Sequence, residues 1–77
     1  SAGANAFRVL VYEPQQLSTA VRMQSELIAA GHRVRLEQKP KNLKSLLEEM
    51  SAAGATSFAI LSEENANIDN LEFKPLS

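Results

Sequence analysis

The run Asn42-Leu43-Lys44-Ser45-Leu46-Leu47-Glu48-Glu49-Met50-Ser51-Ala52-Ala53-Gly54-Ala55-Thr56-Ser57-Phe58-Ala59-Ile60-Leu61 carries the architecture of this chain. Leu43, Leu46, Leu47 and Met50 sit at i, i+3, i+4 and i+7, which places them on one face of a helix. Asn42 is suited to cap that helix, because its side-chain oxygen can accept a first-turn N–H. Gly54 marks the stop, since glycine adopts the left-handed conformation that closes helices. Phe58-Ala59-Ile60-Leu61 is apolar without alternation, as in a strand covered on both faces.

The same cadence extends upstream. Phe7 to Tyr12 contains the run Val9-Leu10-Val11 and predicts a buried strand, ended by Glu13-Pro14. Leu17, Ala20, Val21, Gln24, Leu27 and Ile28 recur at helical spacing, with Gln24 the polar exception. Pro14 or Ser18 can begin that helix, and Gly31 can end it. Arg33 to Glu37 alternates polar and apolar residues, the mark of an edge-like strand with one wet face. Lys39-Pro40-Lys41 breaks the chain before Asn42. Downstream, Glu63 to Asn70 is turn-rich, and Leu71-Glu72-Phe73-Lys74 predicts a short fourth strand that Pro75 stops. The order is βαβαβ with a final short β. Right-handed crossovers make the first three strands parallel, and the most apolar strand belongs in the centre. The expected fold is an open α/β sheet of order 2-1-3-4, in two or three layers.

At 77 residues the chain fits one domain, expected over residues 7–77. Residues 1–6 are small and uncharged and read as a linker or a cloning scar. There is no cysteine, so neither a disulfide nor a thiolate metal site is available, and an intracellular setting, nucleus or cytoplasm, is compatible. No apolar run approaches the roughly 20 residues of a membrane span, and no membrane association is expected. Net charge is −1, but it is unevenly placed. Residues 1–44 carry seven basic groups against three acidic, and residues 45–77 carry one against six. Such a split makes a dipolar surface.

Little in the sequence points to catalysis. Glu63-Glu64 has no partner base and reads as a solvated turn. His32 is the single histidine and reads as an exposed turn residue, since no metal site can be built around it. Glu13-Pro14-Gln15-Gln16 has neither the glycines nor the lysine that cradle phosphates. No enzyme activity, cofactor, metal or small-molecule substrate is expected, and a flavodoxin-like fragment is disfavoured on the same ground. The candidate binding surface is the basic edge Arg33, Arg35, Lys39, Lys41 and Lys44, leading into a helix start that favours anions. The same charges also serve as a solubilising edge. Tyr12 and Phe73 are more readily core residues than stacking platforms, and Met23 and Met50 are core filling.

Several segments resemble the anticodon-binding domain of class II aminoacyl-tRNA synthetases, closest to the histidyl branch. Val9-Leu10-Val11 and Ala30-Gly31-His32-Arg33-Val34 are generic to α/β domains. Asn42-Leu43-Lys44-Ser45-Leu46-Leu47, then Ala53-Gly54-Ala55 with Phe58-Ala59-Ile60-Leu61, and finally Leu71-Glu72-Phe73-Lys74 are more specific. Three positions depart from the family pattern: Ser62 stands for a glycine, Asn65 for a glutamate, and Pro75 for an aspartate. A domain of this type adds a further helix after the fourth strand, so apolar surface is expected to be uncovered. The resemblance implies that Ser62, Asn65 and Lys74 join the basic edge as partner-contacting residues. It implies a non-catalytic module of a larger regulatory protein, binding protein or RNA or both, as in a nuclear receptor coactivator with such a domain. The alternative it implies is a tRNA-anticodon-recognition domain of a histidyl-type synthetase or a paralogue.

Overall fold

A computed structural model describes residues 5–76. The expected linker therefore lies outside the described residues except for Asn5 and Ala6. Strand β1 (Phe7–Tyr12) is followed by a single 3-10 turn (Pro14–Gln16) and helix α1 (Leu17–Ala29). Strand β2 (Val34–Gln38), helix α2 (Leu43–Ala52), strand β3 (Ala55–Ile60) and strand β4 (Lys74–Pro75) complete the chain. The sheet order is β2-β1-β3-β4, with β1 parallel to both neighbours and β4 antiparallel to β3. The open 2-1-3-4 α/β sheet expected from the sequence is thus observed.

Strand periodicity sorts the core into two clusters. Leu10, Leu36 and Ala59 stand in register across three strands and pack on the α1 side with Met23 and Leu27. Val9 and Val11 alternate with Leu10 and pack on the α2 side with Met50 and Ala55. The helices therefore cover opposite faces, and the arrangement is three-layered. Val9, Leu10 and Val11 are completely buried. Each large side chain of this kind contributes about 1.5–3 kcal/mol relative to exposure. This double-sided burial is why the central strand reads as a continuous apolar run.

The helix ends follow from local chemistry. At the end of α1, the His32 N–H donates to the Leu27 carbonyl and the Gly31 N–H to that of Ile28, both at 3.0 Å. This is a six-to-one and five-to-two closure that needs a left-handed residue between, and Gly31 has φ +98°. Asn42 caps α2 as expected, its side chain accepting the Ser45 N–H at 3.0 Å.

Four details differ from expectation. Strand β2 begins at Val34 rather than Arg33, although the Arg33 carbonyl still accepts the Arg8 N–H at 2.8 Å. Strand β3 begins at Ala55, three residues before the apolar run, because β1 continues to offer backbone partners there. The fourth strand is Lys74–Pro75, not Leu71–Lys74. Leu71 and Phe73 instead pack against the α1-side cluster, and Pro75 is tolerated because β4 is an edge strand. Finally, the apolar face of α1 is narrower than its sequence. Ala20, Met23 and Leu27 are buried, while Leu17, Val21 and Ile28 are 46–53% exposed. Gln24 lies beside that exposed stripe and donates to the Val34 carbonyl at 2.9 Å, holding α1 to the sheet edge.

Candidate nucleic-acid interface

The eight residues singled out from the sequence fall into two groups. The basic group follows the β2 edge. Register with Val9 places Arg35 on the α2 side of the sheet, and its guanidinium pairs with Glu37 at 2.7 Å. That pair removes one charge from the expected basic edge. Arg33 is exposed just before β2, at the opposite end of the strand from the lysines. Lys39 leaves β2 with its N–H donated to the Tyr12 carbonyl at 2.7 Å. Lys41 and Lys44 flank the Asn42 cap, and the first turn of α2 contains no acidic residue. The positive end of the α2 dipole and Lys39, Lys41 and Lys44 thus stand together without a local carboxylate in that turn, an arrangement that favours an anion.

The second group surrounds the end of β3. Asn65 holds the turn after the strand: its side-chain oxygen accepts the Ser62 N–H at 2.7 Å and its amide donates to the Ile60 carbonyl at 3.1 Å. An asparagine supplies both an acceptor and a donor, which an ionised glutamate does not. No non-glycine residue among the described ones has positive φ, so Ser62 fits this turn without the left-handed backbone that would require glycine. Asn65 and Lys74 meet across a recess of about 230 Å³, with Phe58, Ile60 and Glu72 around them. Ser62 faces a different crevice, also about 230 Å³, between the turn and the start of α1.

Both groups reach the same end of the parallel strands. Lys39 follows β2 and Ser62 follows Leu61 beyond β3, with Tyr12 between them on β1. Two strand spacings separate β2 from β3, roughly 10 Å. The structure therefore joins Lys39, Lys41 and Lys44 at one corner, joins Asn65 with Lys74 at another, and leaves Arg33 and Arg35 apart from both.

Some residues at this end were not singled out as site candidates. Glu72 opposes Lys74 in its recess, and Gln15, Gln16 and Thr19 wall the crevice with Ser62. Their signal was topological: loops after the first and third parallel strands come together at the carboxyl edge. Tyr12 and Phe73 have the core roles expected of them. Tyr12 packs on the α1-side cluster, and the Phe73 ring lies 4.9 Å from the Arg8 guanidinium. His32 is half-buried rather than exposed. Among the described residues there is no cluster of three or more metal-ligating side chains. Nor is any described helix long and apolar enough to cross a membrane. On the α2 side, an open apolar groove of about 770 Å³ runs between α2 and the β3–β4 edge, with Leu47, Phe58 and Leu76 in its lining.

The open α/β sheet of order 2-1-3-4 is consistent with the anticodon-binding type of α/β domain. The histidyl resemblance holds from end to end: the chain is 41% identical over 78 residues to the C-terminal part of the histidine–tRNA ligase of Leifsonia xyli subsp. xyli (strain CTCB07). That alignment takes in the whole of this chain and 18% of the ligase's length. No protein-family model and no solved structure matches the chain.

Proposed function

We propose that this chain is the tRNA-anticodon-recognition domain of a histidyl-type aminoacyl-tRNA synthetase or a paralogue of one. The observation that carries this reading is the 41% identity along the entire chain to a histidine–tRNA ligase. It favours anticodon recognition over the adaptor or coactivator-like module that the departures at Ser62, Asn65 and Pro75 suggested. The geometry supports the same reading. Asn65 pins the turn after β3 by accepting the Ser62 N–H and donating to the Ile60 carbonyl, so the two substituted positions in the turn are built into one structure.

In this reading the phosphates of an anticodon loop lie against Lys39, Lys41 and Lys44, which position the RNA without reading it. The bases reach the turn after β3, where Asn65 and Lys74 line a recess. Lys74 offers a single charged donor where an arginine would offer a bidentate fork. The domain has an RNA-reading role, and chemistry on the amino acid belongs to another part of the longer enzyme.

The test is a chimera. The C-terminal 18% of the Leifsonia ligase is replaced by this chain, and charging of histidine tRNA is compared with that of the truncated ligase. Charging restored at least tenfold above the truncated enzyme supports the reading. A folded chimera that charges no better than the truncated enzyme removes it.

A further inference from the structure

Strand β2 closes one side of the sheet, with β1 its only neighbour among the described residues. The Arg8 N–H donates to the Arg33 carbonyl at 2.8 Å and the Lys39 N–H to the Tyr12 carbonyl at 2.7 Å, so the odd-numbered residues here turn their backbone toward β1. Alternation then turns the N–H and C=O groups of Val34, Leu36 and Gln38 outward. The Gln24 amide marks that direction, since it reaches the Val34 carbonyl from outside the ladder. An open row of such groups is a template for another strand.

An apolar stripe runs beside this edge. Leu17, Val21, Gln24 and Ile28 are spaced i, i+4, i+7 and i+11, on one face of α1. Gln24 sets that face toward β2, while Arg22, bonded to the Ala66 carbonyl, lies toward the other side of the helix. Leu17, Val21 and Ile28 are half-exposed there, and Leu36 lies on the same side of β2.

The edge is complementary to itself. Arg35 and Glu37 share the α2-side face of β2, in register with Val9 and Val11. Antiparallel pairing of two β2 strands about Leu36 sets Leu36 against Leu36, Val34 against Gln38, and Arg35 against the partner's Glu37. The outward groups then form the ladder. Arg35 and the partner's Glu37 take non-hydrogen-bonded positions, where side chains approach closest. Opposite charges so placed are favourable. The Arg35–Glu37 pair within each strand, at 2.7 Å, joins its mate in a square of alternating charge. The next positions out, Arg33 and Lys39, meet as like charges and bound the ladder at Val34–Gln38. The two-fold axis puts both α1 helices on one face of the joined sheet. Each packs over β1 and β2, so their axes stand two strand spacings apart, roughly 10 Å, which is a helix-packing distance.

We propose that β2 is a self-association edge, at which two copies of this chain pair antiparallel about Leu36 into one continuous sheet, with the α1 stripes packed together across the two-fold axis. The partner is a second copy because the edge supplies both halves of its own charge pattern. This interface is independent of the RNA-reading role.

The experiment is sedimentation equilibrium of the 77-residue chain, loaded up to about 1 mM. A reversible dimer of twice the 8.4 kDa monomer is expected, with hydrogen exchange at the Leu36 amide slowing as concentration rises. Arg35→Glu and Glu37→Arg should each weaken dimerisation at least tenfold, because like charges then meet, and circular dichroism checks that each variant is folded. Val21→Glu should weaken it through the stripe. Mixing Arg35→Glu with Glu37→Arg should restore association as a heterodimer, since every cross-strand pair again has opposite charge. A chain that stays monomeric at about 1 mM overturns the proposal, as does a dimer that neither charge reversal weakens or that mixing does not rescue. The chimera is decided separately: a chain that dimerises and restores no charging keeps this edge and loses the synthetase reading.

Discussion

The Asn65 side chain accepts the Ser62 N–H at 2.7 Å, so two residues that both depart from the family pattern build a single turn together. The second arm of Asn65, donated to the Ile60 carbonyl, fixes where β3 ends. The substitutions are therefore best understood as a coupled pair. Asn65→Ala removes both bonds and is expected to destabilise the domain by about 1–2 kcal/mol. Asn65→Asp keeps the acceptor and loses the donor, and should fall between. Urea denaturation ranks the three proteins, and an Asn65→Ala midpoint equal to wild type would show that the turn is held by something else.

Burial separates two residues of α2 that the sequence treats alike. Met50 is 2% exposed beneath the sheet, whereas Leu47 lines the open groove. Met50→Ala is expected to cost about 2–5 kcal/mol, a large part of the stability of so small a domain. Leu47→Ala should cost clearly less, because its side chain already meets solvent. Equal losses in denaturant midpoint would place Leu47 in the core after all.

Gly31 sits at φ +98° with no atom within 4 Å of the position a Cβ would take. Its requirement is conformational and owes nothing to crowding. Gly31→Ala is expected to cost about 1–2 kcal/mol through the backbone alone. In a domain of this size that lowers Tm by about 4–16 °C. An unchanged Tm would mean that the α1 terminus relaxes out of its observed closure.

The fold was legible because its signals are local and redundant. Leu43 to Met50 set a helical period, Asn42 and Gly54 bounded it, and Val9-Leu10-Val11 could be satisfied only in a central strand. The misread parts were those decided by distant partners. Leu17, Val21 and Ile28 have the spacing of a core face, but it is the adjoining stripe of Ala20, Met23 and Leu27 that α1 buries in the core. Leu71 and Phe73 alternate like a strand, yet burial against the α1-side cluster holds them while β3 pairs with Lys74–Pro75. The site was half legible. Charge pattern singled out Lys39, Lys41 and Lys44 as candidates, but nothing in the sequence shows that Glu37 pairs with Arg35. Gln15 and Thr19 gain meaning only when the loop after β1 meets the turn after β3.

The lysine corner makes a claim about salt. Reversing Lys39, Lys41 and Lys44 to Glu should weaken RNA binding similarly for unrelated sequences. It should also flatten the dependence of log affinity on log salt by about 2, near 0.7 for each single-strand phosphate that is no longer neutralised. Fluorescence anisotropy at several salt concentrations reads both. Loss of affinity confined to one sequence, with an unchanged slope, would assign these lysines to base reading instead.

Anticodon recognition is tested most directly by a ratio of affinities. The chain is titrated at physiological salt with a histidine anticodon stem-loop and with the same stem-loop whose three anticodon bases are replaced. Base contacts contribute about 1–3 kcal/mol each, so replacement should weaken binding at least tenfold. Equal affinity for the two stem-loops, or no binding to either, would contradict the account.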